Sequence, residues 1–358
     1  MPQKHKTTAV GAAEEPGNRR RGGSLIVAVS LQDIARIAGV SVKTVSGALH
    51  GGSARMAEET RDRIRAIAEE LGYVTNFAAR SMRQGWMPLI AIIADELLTS
   101  PFATEIIRGL DNSARKADLS VFFTTIGGDR DIAKVYDDVS RFRPRAIGYA
   151  AMYHKEVALP PEIADRIGVM INCRDAAGRV TSLVPDDELA GHTIASHLVD
   201  AGRRRIAFIN LPGILAGELR ERGVRAALDE AGLAPVAVLP AVKRAAYADR
   251  ARSLVQQHVS DLMAGPDRPD AILCGNDRVA MEVYAALRKT GAGIPDDVAV
   301  AGFDNQVDIV TRLDPPLTTM ALPHRAMGRM AAEILQAGEP PEGGLKLLPF
   351  QLVERASV

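Results

Sequence analysis

The feature that most constrains this chain is an alternation that begins after Pro88, where short apolar runs are separated by amphipathic stretches. The runs are LIAIIAD, SVFFTTI, AIGYAAM, GVMINC, RIAFIN, AILCGND and VAVAGFD. Strands this short and this continuously apolar must be buried on both faces, which is the condition of a parallel sheet covered by helices. Between the runs, helical periodicity predicts helices over Phe102–Lys116, Leu189–Ala201, Glu221–Ala231, Ala246–Met263, Arg278–Thr290 and Arg325–Gln336. The order βαβα predicts a doubly wound α/β body, a class that binds ligands at the carboxyl ends of its strands. With hydrophobic residues at 47% and aromatics at only 4%, the interior must be packed from Ala, Val, Ile and Leu.

The runs form one set up to about Asp186 and a second from Arg205 onward, which predicts two similar lobes with a cleft between them. Helix Arg325–Gln336 follows Pro315 and Pro316, after the second set is complete, so the chain is expected to cross back to the first lobe. The core is therefore assigned to residues 88–358. Its first lobe takes about 88–186 and 320–342, its second about 187–319 and 343–358.

The N-terminal part reads differently. Residues 1–27 open polar and Gly-rich, without apolar periodicity, and are expected to be a disordered tail. Arg19, Arg20 and Arg21 there can serve as DNA contacts or as a plain solvated basic tail. Residues 28–74 carry three helical patterns: Leu31, Ile34, Ala35 and Ala38, then Val42, Val45 and Leu49, then Ile64, Ile67, Ala68 and Leu71, with Gly72 as a stop. In LQDIARIAGVSVKTVSGAL, Ala35 is small enough for a helix contact and Gly39 can take the positive φ of a tight turn. Val40 and Val45 fill the wedge, and Ser41 can cap the second helix. These are the requirements of a helix-turn-helix. An ordinary αα-hairpin is the bland alternative.

In a helix-turn-helix the second helix starts at Val42, so Val42 and Lys43 are placed to reach base edges, while Thr44 and Ser46 suit phosphates and Ser41 is a further DNA-binding candidate. Charge agrees with a polyanionic partner for the head alone. Residues 1–87 carry 13 Lys/Arg against 8 Asp/Glu, whereas the remainder carries 31 against 36, although the whole chain is neutral. Cys173 and Cys274 form no CxxC or paired pattern, so neither disulfide nor zinc site is expected. No uninterrupted apolar stretch of about 18 residues and no signal sequence occur, which predicts a soluble cytoplasmic protein without a membrane partner.

The segments VSLQDIARIAGVSVKTVSGAL and TRDRIRAIAEELGYVTNFAARSM resemble the N-terminal domain of the lactose/galactose repressor (LacI/GalR) family. The resemblance continues through HLVDAGRRRIAFI, LRERGVRAALDEAGL, DAILCGNDRVAMEVYAALRKTGAGIPDDVAVAGFDN and DPPLTTM, and covers nearly the whole chain after Val27. It implies an α-helical helix-turn-helix head on a two-lobed α/β core like that of periplasmic sugar-binding proteins. It also implies a hinge within 75–87, where residues matching Asn76–Arg83 fold on operator DNA in the minor groove, with Met82 as a wedge between central base pairs. The small apolar face of Ala78, Ala79 and Met82 suits a paired hinge, while Arg80 and Arg83 point to phosphate; without DNA so short a helix is marginal. Two departures stand out. Gly47 replaces a large polar residue that the family often uses on bases, and Ala57 replaces a frequent Ser cap.

In the core, Asn276 and Asp277 end one predicted strand and Asp304 another, so all three lie at the cleft rim. The resemblance implies ligand contacts at Arg220, Asn276 and Asp304 and from the loop Thr99, Ser100, Pro101 and Phe102, with Asn172 a further candidate. Structural alternatives remain open: Asp277 as a helix cap, Asp304 as a turn residue, Arg220 as a surface ion pair preceding a helix, Phe102 as core. The implied activity is a homodimeric repressor on a pseudo-palindromic operator, controlled by a sugar or sugar derivative that shifts lobe closure. The chain ends at Val358 without a tetramerising coiled coil, which also favours a dimer. A purine-type corepressor or a protein partner is the alternative within the family. An enzyme or a stand-alone solute-binding protein is a distant alternative: GxSxG, P-loop and HExxH patterns are missing and the histidines, among them His154 and His324, are scattered. No catalytic residue, cofactor or metal is expected.

Overall fold

The computed structural model describes residues 29–50, 56–73, 85–97, 103–126, 131–243, 252–338 and 343–358. The chain divides into two compact units, Met1–Asn76 and Phe77–Val358.

The described part of the first unit is three helices. Helix α1 (Leu31–Ala38) opens with a reciprocal capping box between Ser30 and Asp33 and closes on Gly39 at φ 66°. These two punctuation marks satisfy the helix-end groups that would otherwise stay unpaired. Helix α2 spans Val42–His50, and the Ser41 hydroxyl accepts from Thr44 N at 3.1 Å at its start. Helix α3 (Glu58–Glu70) has Ala57 at its N-cap, with no side-chain cap bond. Ile34, Ala35, Ala38, Val45, Ala48, Ile64 and Ala68 form the core, with Val40 packed at its edge. Arg63 ties α3 to the turn by donating to Ala38 O at 3.1 Å.

The second unit holds two six-stranded sheets. The first contains β1 (Met87–Asp95), β2 (Ser120–Ile126), β3 (Pro144–Ala151), β5 (Ile167–Ile171), β7 (Ser182–Pro185) and β13 (Leu345–Leu348), in the order β13-β7-β5-β3-β1-β2. The second contains β8 (Ile206–Asn210), β9 (Ala237–Pro240), β10 (Ala271–Cys274), β11 (Ala299–Asp304), β12 (Thr318–Ala321) and β14 (Gln351–Val353), in the order β14-β12-β11-β10-β8-β9. Pairing is parallel throughout both sheets except between β12 and β14. A small ribbon of β4 (Glu156–Val157) and β6 (Arg174–Asp175) completes the strands.

The reason the runs are continuously apolar is visible in β1. Ile90, Ile92 and Ala94 enter the core on one face, and Ala91 and Ile93 enter the core on the other. Strand β8 repeats the pattern, with Ala207 and Ile209 on one side and Ile206 and Phe208 on the other.

Helices α4 (Thr104–Lys116), α5 (Ile132–Ser140), α6 (Pro161–Ala164) and, after the return crossing, α12 (His324–Ala337) belong to the first lobe. Helices α7 (Asp187–Asp200), α8 (Leu215–Glu230), α9 (Val255–Ala264), α10 (Asp277–Thr290) and α11 (Val307–Val310) belong to the second. Among the described residues, glycines bring a helix pair of each lobe into backbone contact. In the first, a Cβ on Gly109 of α4 would strike Arg325 O, and one on Gly328 of α12 would strike Ile106 O. In the second, a Cβ on Gly191 of α7 would strike Arg220 O, and one on Gly223 of α8 would strike Glu188 O.

The chain passes between the sheets three times: after β7, after β12 and between β13 and β14. The last crossing differs from the expected boundary at 343, because Leu345–Leu348 pairs in parallel with Ser182–Pro185 in the first sheet. The second return therefore comes after Leu348. Two predicted helix starts also shift. The helix expected from Glu221 begins at Leu215, a full turn before Arg220. The helix expected from Ala246 is not helical at residues 252–254, where Ser253 makes an antiparallel bridge to Val242 instead. Residues 244–251 lie outside the described ones.

Candidate functional site

A cleft lies between the lobes, and Asn172, Arg220, Asn276 and Asp304 all line it. Asn172 comes from the first lobe, at the end of β5; the other three come from the second. The first two crossings supply further walls, with Pro185 and Asp187 from one and Leu322 and His324 from the other.

Arg220 is at the centre. It lies inside α8, not ahead of it, and its side chain is 5% exposed. Nε donates to Asp187 Oδ1 at 2.8 Å and Nη1 to Gly275 O at 2.7 Å. Asp304 Oδ1 stands 3.8 Å from Nη1, and the guanidinium lies 4.5 Å from the Phe303 ring centroid. Phe303 meets Phe350 edge-on, with centroids 6.4 Å apart. A planar cation is suited to this combination of a fork of hydrogen bonds below and an aromatic face beside it. A surface ion pair, the bland expectation for Arg220, is excluded by its burial.

Asp304 ends β11 at φ 106°, a conformation that non-glycine residues rarely adopt. Its carboxylate accepts from Gln306 Nε2 at 3.2 Å. Burial pushes its pKa up to about 6, and the charge of Asp187 adds to that; Arg220, Gln306 and Arg278 pull the other way. Asp277, fully buried next to it, accepts from Gln306 N and from Thr319 Oγ1, each at 2.7 Å. Burial, and then the charge of Asp304, raise Asp277 well above the carboxylate range. Asp277 is therefore a tie between β11, β12 and α10 and not the cap of α10. The cap is Asn276, whose carboxamide oxygen accepts from Val279 N at 2.9 Å.

Asn172 has φ 58° and commits both amide hydrogens to its own lobe, to Ala151 O at 3.1 Å and Met152 O at 2.8 Å. Only its oxygen can serve a ligand. Ser100 and Phe102, with Thr99 and Pro101, lie outside the described residues.

Three buried polar residues in the cleft, His154, Asp187 and His324, were not singled out as binding residues from sequence. Asp187 accepts from Arg220 on one oxygen and pairs through the other with His154 Nδ1 at 2.8 Å. The available signal at Asp187 was a pair of acids where one suffices: Asp186 caps α7 by accepting from Leu189 N at 3.1 Å, which leaves Asp187 without a helix-end role. His154 offered no such signal.

In the head, Val42 is 41% exposed and Lys43 and Ser41 are exposed, while Thr44, Ser46 and Gly47 are half-buried. The side chains at the start of α2 thus face away from the three-helix core. Asn76, Ala79, Arg80 and Met82 lie outside the described residues.

Known proteins match in both units. Residues 30–76 match the model of the lacI family of bacterial regulatory proteins, and residues 195–358 match that of a periplasmic binding protein-like domain. A sucrose operon repressor of Escherichia coli is 34% identical over 332 residues, spanning 92% of this chain and 99% of its own length. The chain belongs to the lacI family. Other relatives of this regulator include a ribose operon repressor of Escherichia coli strain K12, 28% identical over 339 residues, with 92% of this chain and 99% of the relative covered. Among solved structures, a putative lacI-family transcriptional regulator from Rhizobium etli aligns at TM-score 0.70 and 31% identity, over 75% of this chain and 98% of that one. A lac repressor dimer bound to operator and the anti-inducer ONPF aligns at TM-score 0.71 and 23% identity, over 92% of this chain and 99% of that one. The lacI-family regulator thus shares the lac repressor fold. Among its described residues no helix is long and apolar enough to cross a membrane, and no group of three or more His, Cys, Asp or Glu could hold a metal ion.

Proposed function

We propose that this chain is a homodimeric, non-enzymatic repressor whose affinity for a pseudo-palindromic operator is set by a sugar or sugar derivative held between the lobes. The observation that carries the ligand half is the convergence of Arg220, Asp304, Asn276 and Asn172 on one cleft with walls from both lobes. Carboxylate, guanidinium and carboxamide groups are the usual partners of vicinal hydroxyls. Relatives named as sucrose and ribose operon repressors support the sugar class.

For the DNA half, Val42 and Lys43 read base edges, Ser41, Thr44 and Ser46 hold phosphates, and Gly47 contributes little beyond close approach. Asn76, Ala79 and Met82 serve the minor groove, with Met82 as the wedge, and Arg80 holds phosphate. Ligand acts by population shift: it favours one degree of lobe closure and thereby one arrangement of the paired heads.

The experiment is selection of bound sequences from a random DNA pool at stated salt, followed by titration of the enriched operator complex with sugars. Enrichment of a palindrome whose complex strengthens or weakens with a sugar supports the reading. A palindrome indifferent to every sugar, yet released or tightened by a purine, would transfer the function to the corepressor alternative.

A further inference from the structure

We propose that His154 is a specificity-determining residue of the cleft, and that its Nε2 accepts a hydrogen bond from a ligand hydroxyl. The inference rests on the sugar reading above and adds which side chain tests the presence of one hydroxyl.

His154 is 4% exposed and lines the cleft. Its Nδ1 lies 2.8 Å from Asp187 Oδ2. The Asp187 carboxylate is ion-paired with Arg220 through its other oxygen and offers only lone pairs to Nδ1, so Nδ1 donates to it, and in the neutral form of the ring Nε2 presents a bare lone pair. That Nε2 is buried and has no hydrogen-bond partner among the described residues. Other buried polar atoms share that condition, for example His258 Nε2 and Ser140 Oγ, but neither residue lines the cleft. At His154 the tautomer is fixed from behind by Asp187 and Arg220, and the unmatched acceptor belongs to a wall of the binding cavity.

A buried acceptor without a donor is costly, and a ligand that supplies the donor recovers that cost on binding. The surrounding walls make the requirement selective. Met152, Pro185 and Leu322, which line the same cavity, carry no side-chain donor. A ligand with a free hydroxyl at this point is accepted, whereas its deoxy or O-methyl analogue leaves Nε2 without a donor and is discriminated against. The order of effects is therefore Arg220 for anchoring and His154 for choosing among sugars of similar shape.

The test uses the full chain and calorimetric titration with sucrose, glucose, fructose and ribose at about pH 8, above the usual range of imidazole. The sugar that binds is then compared with its monodeoxy analogues. The main variant is His154→Asn, because the Asn amide can still donate to Asp187 while the Nε2 position is removed. His154→Gln, which places an amide near that position, is the second. Expected in the wild type is one monodeoxy analogue that binds about tenfold or more weakly than its parent. In His154→Asn the parent weakens by a similar factor and the ratio between parent and that analogue collapses towards one. A merely structural role would weaken both sugars alike and leave the ratio unchanged, which overturns the proposal. Binding lost in Arg220→Ala but unaltered in both His154 variants overturns it while leaving the sugar reading intact. Absence of binding by all four sugars to the wild type overturns both together.

Discussion

Gly191 on α7 lies against the main-chain carbonyl of Arg220 on α8, so closely that a Cβ at residue 191 would collide with that oxygen. The two helices meet backbone to backbone at the level of the buried Arg220–Asp187 pair, and the contact sets how far the guanidinium stands from the carboxylate. Packing and binding chemistry are joined at this point. Gly191→Ala is expected to force the helices apart, destabilise the second lobe by about 2–4 kcal/mol and weaken ligand binding. Denaturant unfolding monitored together with sugar titration checks both effects; a stable variant with intact binding would show that the helices can slide to make room.

Arg220→Ala leaves Asp187 and Asp304 facing each other across a buried space without their shared cation. The expected outcome is loss of ligand binding and destabilisation of about 3–5 kcal/mol. Arg220→Lys keeps the charge but cannot supply the Nε and Nη1 donors to Asp187 and Gly275 at once, so it should recover stability more than binding. The measurement is paired unfolding and calorimetry on both variants.

The raised pKa of Asp304, about 6 against an ordinary 3.8, carries a sign. The native state holds a proton on this group between those values when the unfolded chain does not, so its contribution to stability falls as pH rises from about 4 to about 6 and is level above. Asp304→Asn removes the titration. Relative to this variant, the wild type should lose roughly 1–3 kcal/mol across that window. Unfolding midpoints of both proteins between pH 4 and 7 provide the check, and parallel curves would contradict the assignment.

Lys43, exposed on the first turn of α2, is expected to act on bases. Lys43→Ala should lower affinity for the preferred operator by about 1–3 kcal/mol and relax preference at one or two base pairs per half-site. Equal loss on every sequence, with a shallower salt dependence, would make it a phosphate contact.

Ser41→Ala tests the local architecture of the head. It removes the acceptor for Thr44 N, and the expected cost is about 1 kcal/mol in stability of the three-helix unit. Thermal unfolding followed by helical circular dichroism measures it.

What could be read from the chain alone was local. The apolar runs at β1 and β8 announce burial on both faces because every residue of a central strand meets one of two cores. Gly39 and Ser41 announce the turn between α1 and α2 because helix ends must satisfy their own backbone groups within a few residues. The doubly wound body and the helix-turn-helix head followed from such signals, and so did the rim placement of Asn276 and Asp304. Tertiary structure alone decided the rest. Strand β13 was illegible because Leu345 and Leu347 are about half exposed; its order comes from the edge of β7, a partner far away in the chain. The placement of Arg220 within its helix and the cap role of Asn276 turned on single residues at helix starts, where periodicity is weakest. The His154–Asp187–Arg220 chain spans 33 residues at each step, and no periodicity relates such positions. Whether a carboxylate, an imidazole or a guanidinium is a solvated surface group or the centre of a binding site depends on which other charges are buried beside it, and that is a property of the folded whole.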